Sequence, residues 1–148
     1  WKEDNLDGAI ELLQKLHEDG ESSTIYGNLG YFLILKGDLE KALCYNKQAY
    51  EYDSESDAIK DNLALTYYHL GEYEKSKEIY KELIKTHLSM PIPYYNYGEL
   101  LYKMGDKEEA LELMEEALNY NFSALAAVTK RQIRDRIVEI ETEINKGI

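Results

Sequence analysis

The sequence contains little cysteine and little proline, with one Cys and two Pro among 148 residues. Because Cys44 is the only thiol, no disulfide can form within the chain. The localisation stays unknown, and the lack of disulfides favours the cytoplasm, where thiols are kept reduced. The scarcity of proline, together with 44% hydrophobic residues, argues against a disordered chain. No apolar run reaches the roughly 20 residues of a membrane-spanning helix, so we expect no membrane insertion.

Positive charge is also scarce, because 17 Lys and Arg stand against 29 Asp and Glu and give a formal net charge of −12. Such a chain repels phosphate backbones and anionic headgroups, so we expect no nucleic-acid partner. The length suits one domain that buries about 68–70% of its unfolded surface. The first residue is Trp1 and no secretory leader follows it, so we expect a segment of a longer polypeptide.

One period dominates the sequence, because Gly37, Gly71 and Gly105 follow one another at intervals of 34 residues. Apolar residues with the i, i+3, i+4, i+7 spacing of a helix face precede and follow each glycine. Each unit is therefore predicted to be a helix, a short turn with the glycine, and a second helix. The first-helix faces are Tyr26, Leu29, Gly30 and Leu33, then Leu63, Ala64 and Tyr67, then Tyr94, Tyr97, Gly98 and Leu101.

This pattern resembles the tetratricopeptide repeat family, whose 34-residue helix–turn–helix has an aromatic residue, Leu-Gly, Tyr, Ala, a second aromatic residue and Pro at set spacings. The resemblance covers three full repeats, residues 23–56, 57–90 and 91–124. The sequence departs from the family pattern at five positions, Asn46, Ser54, Lys60, Leu88 and Phe122. The resemblance implies an all-α fold, a right-handed superhelix of antiparallel helix pairs, in a single domain over residues 1–148.

The two ends of the chain differ from the full repeats. Residues 1–10 read as the last turn of a first helix, its turn, and the start of a second helix that continues to about Glu18. Residues 1–22 are therefore predicted to be a partial repeat, and residues 125–148 a C-terminal capping helix. Ser123 is the expected N-cap of that helix, which runs to about Asn145 over roughly 34 Å.

Small residues recur where the two helices of a repeat would face each other. Their lack of bulk lets the paired helices approach closely, and the stacking of neighbouring units buries the larger side chains. These small residues are Gly30, Ala64 and Gly98 on the first helices and Ala42, Ser76 and Ala110 on the second helices.

The first helix of each repeat has a second face, opposite its packing face. In the first full repeat, residues 24–35 carry no charge, whereas residues 38–55 are rich in Asp, Glu and Lys. A helix that is apolar on all sides is buried or covers a ligand, and the resemblance implies a concave groove that binds peptides or partner helices. The candidate groove residues are Asn28, Tyr31, Leu35, Asp61, Asn62, Leu65, Tyr68, His69, Tyr95, Asn96, Glu99, Tyr102 and Lys103.

Asn28, Asn62 and Asn96 occupy the same column of successive repeats. An Asn amide matches the donors and acceptors of a peptide backbone, and in the resembling family this residue often holds the main chain of the ligand. A hydrogen bond between scaffold helices explains the column equally well, so both interpretations stay open. Of the four tyrosines in the candidate groove, we expect about half to be exposed, since the others would pack against a neighbouring repeat.

The charge of the candidate groove indicates the ligand that suits it. Some members of the family grip acidic C-terminal tails with Lys, Arg and Asn side chains, but only Asn62 agrees with that set here. Asp61 and Glu99 place negative charge beside Lys103 and His69. A protein or peptide ligand of apolar or basic character therefore suits this surface better.

No catalytic or metal-binding pattern is present in the sequence. His17, His69 and His87 lie in different repeats without partners at metal-ligand spacing, and no phosphate loop or nucleophile elbow occurs. Cys44 is interpreted as a half-exposed structural thiol. We expect no enzyme activity, no metal and no cofactor.

The leading hypothesis is a protein–protein interaction scaffold that binds a peptide segment or helix of a partner. Two alternatives stay open, a structural module that self-associates and a regulatory fragment of a larger protein. All three arginines, Arg131, Arg134 and Arg136, lie on the predicted capping helix. We expect them to be solvated, with an Arg131–Asp135 pair, rather than docked on the acidic repeats.

Overall fold

The computed structural model describes residues 3–86, 89–123 and 126–148. Within these ranges there are eight α-helices and no strand, which confirms the predicted all-α fold. The chain divides into two compact units, Trp1–Ile79 and Tyr80–Ile148. The helices are α1 (Glu3–Asp19), α2 (Ser23–Lys36), α3 (Leu39–Tyr52), α4 (Asp57–His69), α5 (Tyr73–Ile84), α6 (Pro91–Met104), α7 (Lys107–Ala117) and α8 (Lys130–Lys146).

A glycine lies just past the first helix of each repeat. Gly37, Gly71 and Gly105 follow α2, α4 and α6 with φ angles of 80°, 78° and 97°. This left-handed backbone conformation is accessible to glycine at little cost, and it turns the chain so that later amides satisfy the last helical carbonyls. After α2, for example, the N–H of Asp38 donates to the carbonyl of Leu33 at 3.1 Å. The 34-residue period of the sequence is therefore a period of helix C-caps.

In the first unit, α2 and α3 are in close contact at Gly30. A Cβ atom at this position would lie 1.9 Å from Oδ1 of Asn46, so a larger residue does not fit without movement. Leu29, Leu33 and Ala42 form part of the surrounding apolar core and are at most 1% exposed. The prediction that small residues allow close helix approach is confirmed at Gly30.

A chain of hydrogen bonds crosses the first unit from α3 to α2. Asn46 Nδ2 donates to Thr66 Oγ1 at 3.0 Å, and Thr66 Oγ1 donates to the carbonyl of Asn62 at 2.7 Å. Asn62 Nδ2 then donates to the carbonyl of Gly27 at 2.6 Å. Asn46 stands where the resembling pattern has an aromatic residue, and both Asn46 and Thr66 are fully buried. These bonds offset part of the free-energy cost of placing polar side chains in the core, because Asn46 Oδ1 is buried without a hydrogen-bond partner among the described residues.

In the second unit, α6 and α7 form a closely packed helix pair. A Cβ atom at Gly98 would lie 2.9 Å from Cγ of Met114 and 3.1 Å from the carbonyl oxygen of Ala110, so the small residue is needed here as well. Helix α8 packs against α7. Its Ile133 and Ile140 side chains are fully buried.

The structure corrects the predicted start of the chain. Helix α1 is continuous over Glu3–Asp19, so no turn interrupts residues 3–10. Trp1 and Lys2, where the preceding helical turn was expected, lie outside the described residues. His87 and Leu88, to which the sequence analysis referred, also lie outside them.

The predicted start of the C-terminal helix is wrong as well. Helix α8 begins at Lys130 rather than after Ser123, and its 17 residues span roughly 26 Å. Thr129 is the N-cap. Its Oγ1 accepts a hydrogen bond from the backbone N–H of Gln132 at 3.2 Å, and the side-chain Oε1 of Gln132 accepts one from the backbone N–H of Thr129 at 2.8 Å. This reciprocal pair is a capping box and fixes the helix start. Residues 124 and 125, the latter the predicted start of the capping segment, lie outside the described residues.

Tyr97 of α6 carries a buried hydroxyl group. The residue is 1% exposed, its ring stacks on that of Tyr80 with centroids 5.4 Å apart, and its hydroxyl has no hydrogen-bond partner among the described residues. Burial, with smaller contributions from the carboxylates of Glu109 and Asp106, raises the pKa of Tyr97 to about 12.

We expect Tyr97→Phe to raise the free energy of unfolding by about 1 kcal/mol, because it removes an unsatisfied buried hydroxyl and keeps the stacked ring. The unfolded-state tyrosine ionises near pH 10, so the parent should lose stability as the pH rises from about 10 towards 12, and the gain in Tyr97→Phe should grow there. Urea unfolding followed by circular dichroism measures both effects. Tyr50→Phe, at a tyrosine that is 41% exposed, is the control. A loss of stability in Tyr97→Phe at neutral pH would contradict the assignment.

Candidate functional site

Twelve of the thirteen candidate groove residues are at least partly exposed, and Asn62, at 7%, is the exception. The expectation that about half of the four tyrosines are exposed is wrong, because all four are half-buried. Ring contacts within the first unit account for part of the burial of two of them: Tyr31 lies against Phe32 and Tyr68 against Tyr73. The exposed candidates are Asn28, Leu35, His69 and Lys103; the half-buried ones are Tyr31, Asp61, Leu65, Tyr68, Tyr95, Asn96, Glu99 and Tyr102.

The first unit contains a cavity of about 370 Å³. We call the surface of α2 and α4 that includes this cavity, Asp61 and Leu65 the groove face. The cavity brings together three of the candidates, Asn28, Tyr31 and Asn62. It does not include the other candidates of this unit, Leu35, Asp61, Leu65, Tyr68 and His69. The complete lining is Ser23, Thr24, Gly27, Asn28, Tyr31, Ser56, Ala58 and Asn62.

Five lining residues, Ser23, Thr24, Gly27, Ser56 and Ala58, were absent from the candidate set, and two of them, Ser23 and Ser56, lie at helix starts. Ser23 is the first residue of α2 and Ser56 is the N-cap of α4. The predicted helix starts could therefore have identified these two serines as site residues, because neighbouring first helices bring their N-terminal ends to the same side of the unit. The candidates were selected by their positions on one face of each first helix, and this criterion does not identify residues at helix caps.

No charged side chain lines the cavity, and carboxylates lie close to its walls. Ser23 Oγ donates to Asp53 Oδ2 at 2.6 Å, and this hydrogen bond holds the pKa of Asp53 below its usual value. Burial raises the pKa of Tyr31, and the charge of Asp61 raises it further. Asp53 and Asp61 therefore give the groove face a negative potential that disfavours an acidic ligand.

The three asparagines of the repeated column differ in their surroundings. Asn62 forms the scaffold hydrogen bond to Gly27 described above, which is one of the two interpretations that the sequence left open. Asn28 is exposed, whereas Asn96 is half-buried. Of the described positions in the first unit, Asn28 is therefore the better candidate for a direct hydrogen bond to a ligand.

In the second unit, two candidate groove residues contact the C-terminal helix. Arg136 of α8 donates to both carboxylate oxygens of Glu99, at 2.8 and 3.3 Å, and its guanidinium lies 4.2 Å from the centroid of the Tyr102 ring. The Tyr102 hydroxyl hydrogen-bonds to Glu143 at 3.0 Å, and Lys107 pairs with the same carboxylate at 2.9 Å. Glu99 and Tyr102 thus hold α8 in place within the scaffold.

These contacts explain the electrostatics of the second unit. The hydrogen bond from Arg136 to Glu99 raises the pKa of the guanidinium, and the hydrogen bonds from Lys107 and Tyr102 lower the pKa of Glu143. The expectation that all three C-terminal arginines are solvated is wrong for Arg136. Arg131 agrees with it, because the residue is exposed and its Nε lies 3.9 Å from Asp135.

The described residues show neither a metal-ion cluster nor an apolar helix of membrane-spanning length. No group of three His, Cys, Asp or Glu side chains in these ranges is arranged to hold a metal ion. None of the helices in residues 3–86, 89–123 and 126–148 is both long and apolar enough to cross a membrane. Cys44 forms no disulfide and is exposed, so its thiol is more accessible than the half-exposed thiol expected from the sequence.

Comparison with family models identifies the repeats. Two models described as tetratricopeptide repeat match residues 23–56 and 56–120. Among curated proteins, the chain is 33% identical over 109 residues to BBSome complex member BBS4 of Bos taurus, in an alignment that covers 68% of this chain and 19% of that protein. The chain thus spans about a fifth of the length of this relative.

Solved structures with this fold are also similar. The Thermus thermophilus protein TTC0263, a thermophilic TPR protein, aligns with a TM-score of 0.70 at 22% identity, over 93% of this chain and 71% of that one. The first TPR of Spaghetti (RPAP3), bound to the HSP90 peptide SRMEEVD, aligns with a TM-score of 0.68 at 15% identity, over 83% and 93% of the two chains. At these identities the likeness concerns the fold.

Proposed function

Because the chain belongs to the tetratricopeptide repeat family, we propose that it is a protein-interaction scaffold that binds a peptide segment of a partner protein on the groove face of its first unit. The cavity of about 370 Å³ beside Asn28 and Tyr31 is the observation that carries this proposal. It offers an exposed amide for the ligand backbone and a tyrosine ring for contact area. In this function the protein binds and does not catalyse.

The ligand is proposed to be apolar or basic. The cavity has no charged lining residue, Asp61 lies close to Tyr31, and Leu35 of α2 is 50% exposed. The peptide in the Spaghetti (RPAP3) structure, SRMEEVD, supports peptide binding as a function of this fold. An acidic peptide of that kind would meet the carboxylates of the groove face, so we propose the opposite charge preference here.

The role of the remaining candidates stays a prediction. Tyr95, Asn96 and Lys103 of the second unit keep some solvent exposure, and the proposal does not depend on them. The single-domain organisation over residues 1–148 also stays a prediction. The relative from Bos taurus is a member of a complex, the BBSome, which supports a role in protein assembly.

The proposal predicts that Tyr31→Ala weakens peptide binding by about 5- to 150-fold, because truncating a rigid aromatic contact costs about 1–3 kcal/mol. Asn28→Ala should weaken it by about 2- to 10-fold through the loss of one hydrogen bond. Peptides selected from a random 12-residue display library on the immobilised parent protein provide the ligand. Fluorescence anisotropy with the synthetic peptide gives the dissociation constant for each variant.

Matched controls separate the groove face from the rest of the protein. Leu12→Ala removes an apolar side chain that is 59% exposed on α1, and Asn119→Ala removes an exposed asparagine beyond α7; both should bind as the parent does. Asn62→Ala is unsuitable as a binding test, because it also removes the hydrogen bond to Gly27. Selected peptides that bind Tyr31→Ala and Asn28→Ala as tightly as the parent would rule out the groove face as the binding site.

A further inference from the structure

A second cavity of about 420 Å³ lies in the first unit, away from the groove face. Its walls come from α1, from the connection between α1 and α2, from α2, and from the last two turns of α3. Residues up to 35 positions apart in the sequence therefore meet here. The lining residues, which we call the α1–α3 pocket, are His17, Glu21, Tyr26, Gln48, Glu51 and Tyr52.

The α1–α3 pocket is rich in hydrogen-bond acceptors whose charge is not neutralised. Among the described residues, neither Glu21 nor Glu51 forms an ion pair with a lysine or arginine. The tyrosine donors are already used, because the Tyr26 hydroxyl donates to the Glu21 carboxylate at 3.2 Å and the Tyr52 hydroxyl donates to the Glu21 carbonyl at 3.3 Å. Gln48 directs its amide nitrogen to Cys44 Sγ at 3.8 Å. The pocket therefore offers acceptors to a ligand that brings donors.

His17 adds an independent observation at this pocket. Its Nδ1 atom is buried and has no hydrogen-bond partner in the part of the chain that the structure describes. The imidazole is fixed edge-on against Tyr26, with ring centroids 4.7 Å apart, and against Tyr45 at 6.0 Å. A buried polar atom without a partner destabilises the folded protein, and this one lies in the wall of the pocket.

The pocket also presents an aromatic surface to the solvent. Tyr52 is 47% exposed, and its ring lies 5.5 Å from the ring of Tyr26 at an interplanar angle of 40°. The Glu21 and Glu51 carboxylates belong to the same pocket as these rings. A planar cation can stack on a tyrosine ring while its edges donate to carboxylates, and the guanidinium group of arginine has this combination of shape and donors.

We propose that the α1–α3 pocket binds an arginine side chain of a partner protein, as a site separate from the groove face. The guanidinium stacks on the exposed Tyr52 ring and donates to the carboxylates of Glu51 and Glu21. A lysine ammonium is a compact charge with three donors and cannot combine stacking with a planar set of hydrogen bonds. The pocket therefore selects arginine over lysine.

The proposal extends to the residues that flank the arginine, because a second cavity adjoins the pocket at Glu51. Glu51 also borders a further cavity of about 380 Å³, with a mixed apolar and charged lining. Residues next to the arginine in the partner can bury apolar side chains there. That cavity is lined by Lys47, Tyr50, Glu51, Leu63, Tyr67, Lys75, Glu78 and Ile79.

The proposal is tested with Nα-acetyl-L-arginine N-methylamide, added to the ¹⁵N-labelled protein and followed by amide chemical shifts. We expect saturable shifts centred on His17, Glu21 and residues 48–52, with a dissociation constant of about millimolar size for so small a probe. The corresponding citrulline derivative has nearly the same shape without the charge and should bind at least about tenfold more weakly. The lysine derivative should also be weaker.

Variants locate the site and keep it distinct from the groove face. Glu51→Gln should weaken the arginine probe by about tenfold, since one charge-assisted hydrogen bond is lost. Glu40→Gln makes the same change at an exposed residue in the first turn of α3 and should bind as the parent does, as should Tyr31→Ala. Equal shifts with the citrulline derivative, equal binding of the lysine derivative, or an unchanged affinity in Glu51→Gln would each overturn the proposal, whatever the outcome for the groove face.

Discussion

Gly30→Leu is expected to lower the free energy of unfolding by about 3 kcal/mol or more and the melting temperature by about 6–12 °C. The first added carbon alone would lie 1.9 Å from Oδ1 and 2.7 Å from Cγ of Asn46. Asn46 cannot swing into solvent, because it is fully buried and its Nδ2 is bound to Thr66. Helices α2 and α3 must therefore separate, which weakens the packing of the first unit.

A neighbouring glycine provides the control for this effect. Gly27 lies on the same helix, and a Cβ atom there would meet no atom within 4 Å. Gly27→Ala should stabilise the protein by about 0.5–1 kcal/mol through helix propensity, whereas Gly30→Ala should destabilise it by about 1–3 kcal/mol. Combining Gly30→Ala with Asn46→Ala should recover part of the loss, because the double variant removes the clash. Thermal unfolding followed by circular dichroism gives the melting temperature of each variant. Equal melting temperatures for Gly27→Ala and Gly30→Ala would contradict the close contact between Gly30 and Asn46.

Ile140→Ala is the second substitution with a large expected effect. It should lower the free energy of unfolding by about 2–5 kcal/mol, because it removes three buried carbons from the contact layer of α8. Ile140 is fully buried, and α8 packs against α7. The side chains around a fully buried site relax only in part, so a cavity remains where the isoleucine was. Urea unfolding followed by far-UV circular dichroism measures the loss.

Val138 on the same helix is the matched control. It is 58% exposed, so Val138→Ala should change the free energy of unfolding by less than about 0.5 kcal/mol. Similar losses in Ile140→Ala and Val138→Ala would mean that the buried face of α8 is assigned incorrectly. A loss confined to Ile140→Ala supports the role of α8 as the cover of the second unit.

Most of the fold is predictable from the sequence because the repeat depends on local backbone requirements. Gly37, Gly71 and Gly105 end helices in the left-handed region, and this conformation is read directly from a recurring glycine between two amphipathic stretches. Gly30 is predictable for a related reason, since the repeated small residue marks the closest approach of two helices. These features need no knowledge of long-range contacts.

The start of α8 was predicted wrongly although the sequence contained the signal. Ser123 and Thr129 are both suitable N-caps, but only Thr129 is followed three residues later by a glutamine that completes a capping box. The contrast shows that the residue at the third helical position discriminates between two candidate caps. The cap residue alone does not.

The candidate site was predictable only in part, because solvent exposure depends on distant packing. The pairing of Glu99 with Arg136 joins residues 37 positions apart and depends on where α8 docks. The helix periodicity that placed Glu99 on the groove side carries no information about that docking. Likewise, Asn28 and Asn62 share a column, but only Asn62 has an adjacent helix carbonyl within reach in the described residues.

The hydrogen bond between Asn62 and Gly27 joins two residues that line the cavity on the groove face, and so ties α4 to α2 at this cavity. A receptor whose walls are fixed before the ligand arrives loses little conformational entropy on binding, so the free energy of association is limited mainly by the ordering of the peptide. Preorganisation of this kind also keeps association from being slowed by a rearrangement of the protein. A segment too bulky for the cavity would have to break this bond to enter. In the proposed function, this hydrogen bond therefore limits the size of the side chains that a bound peptide can place in the cavity.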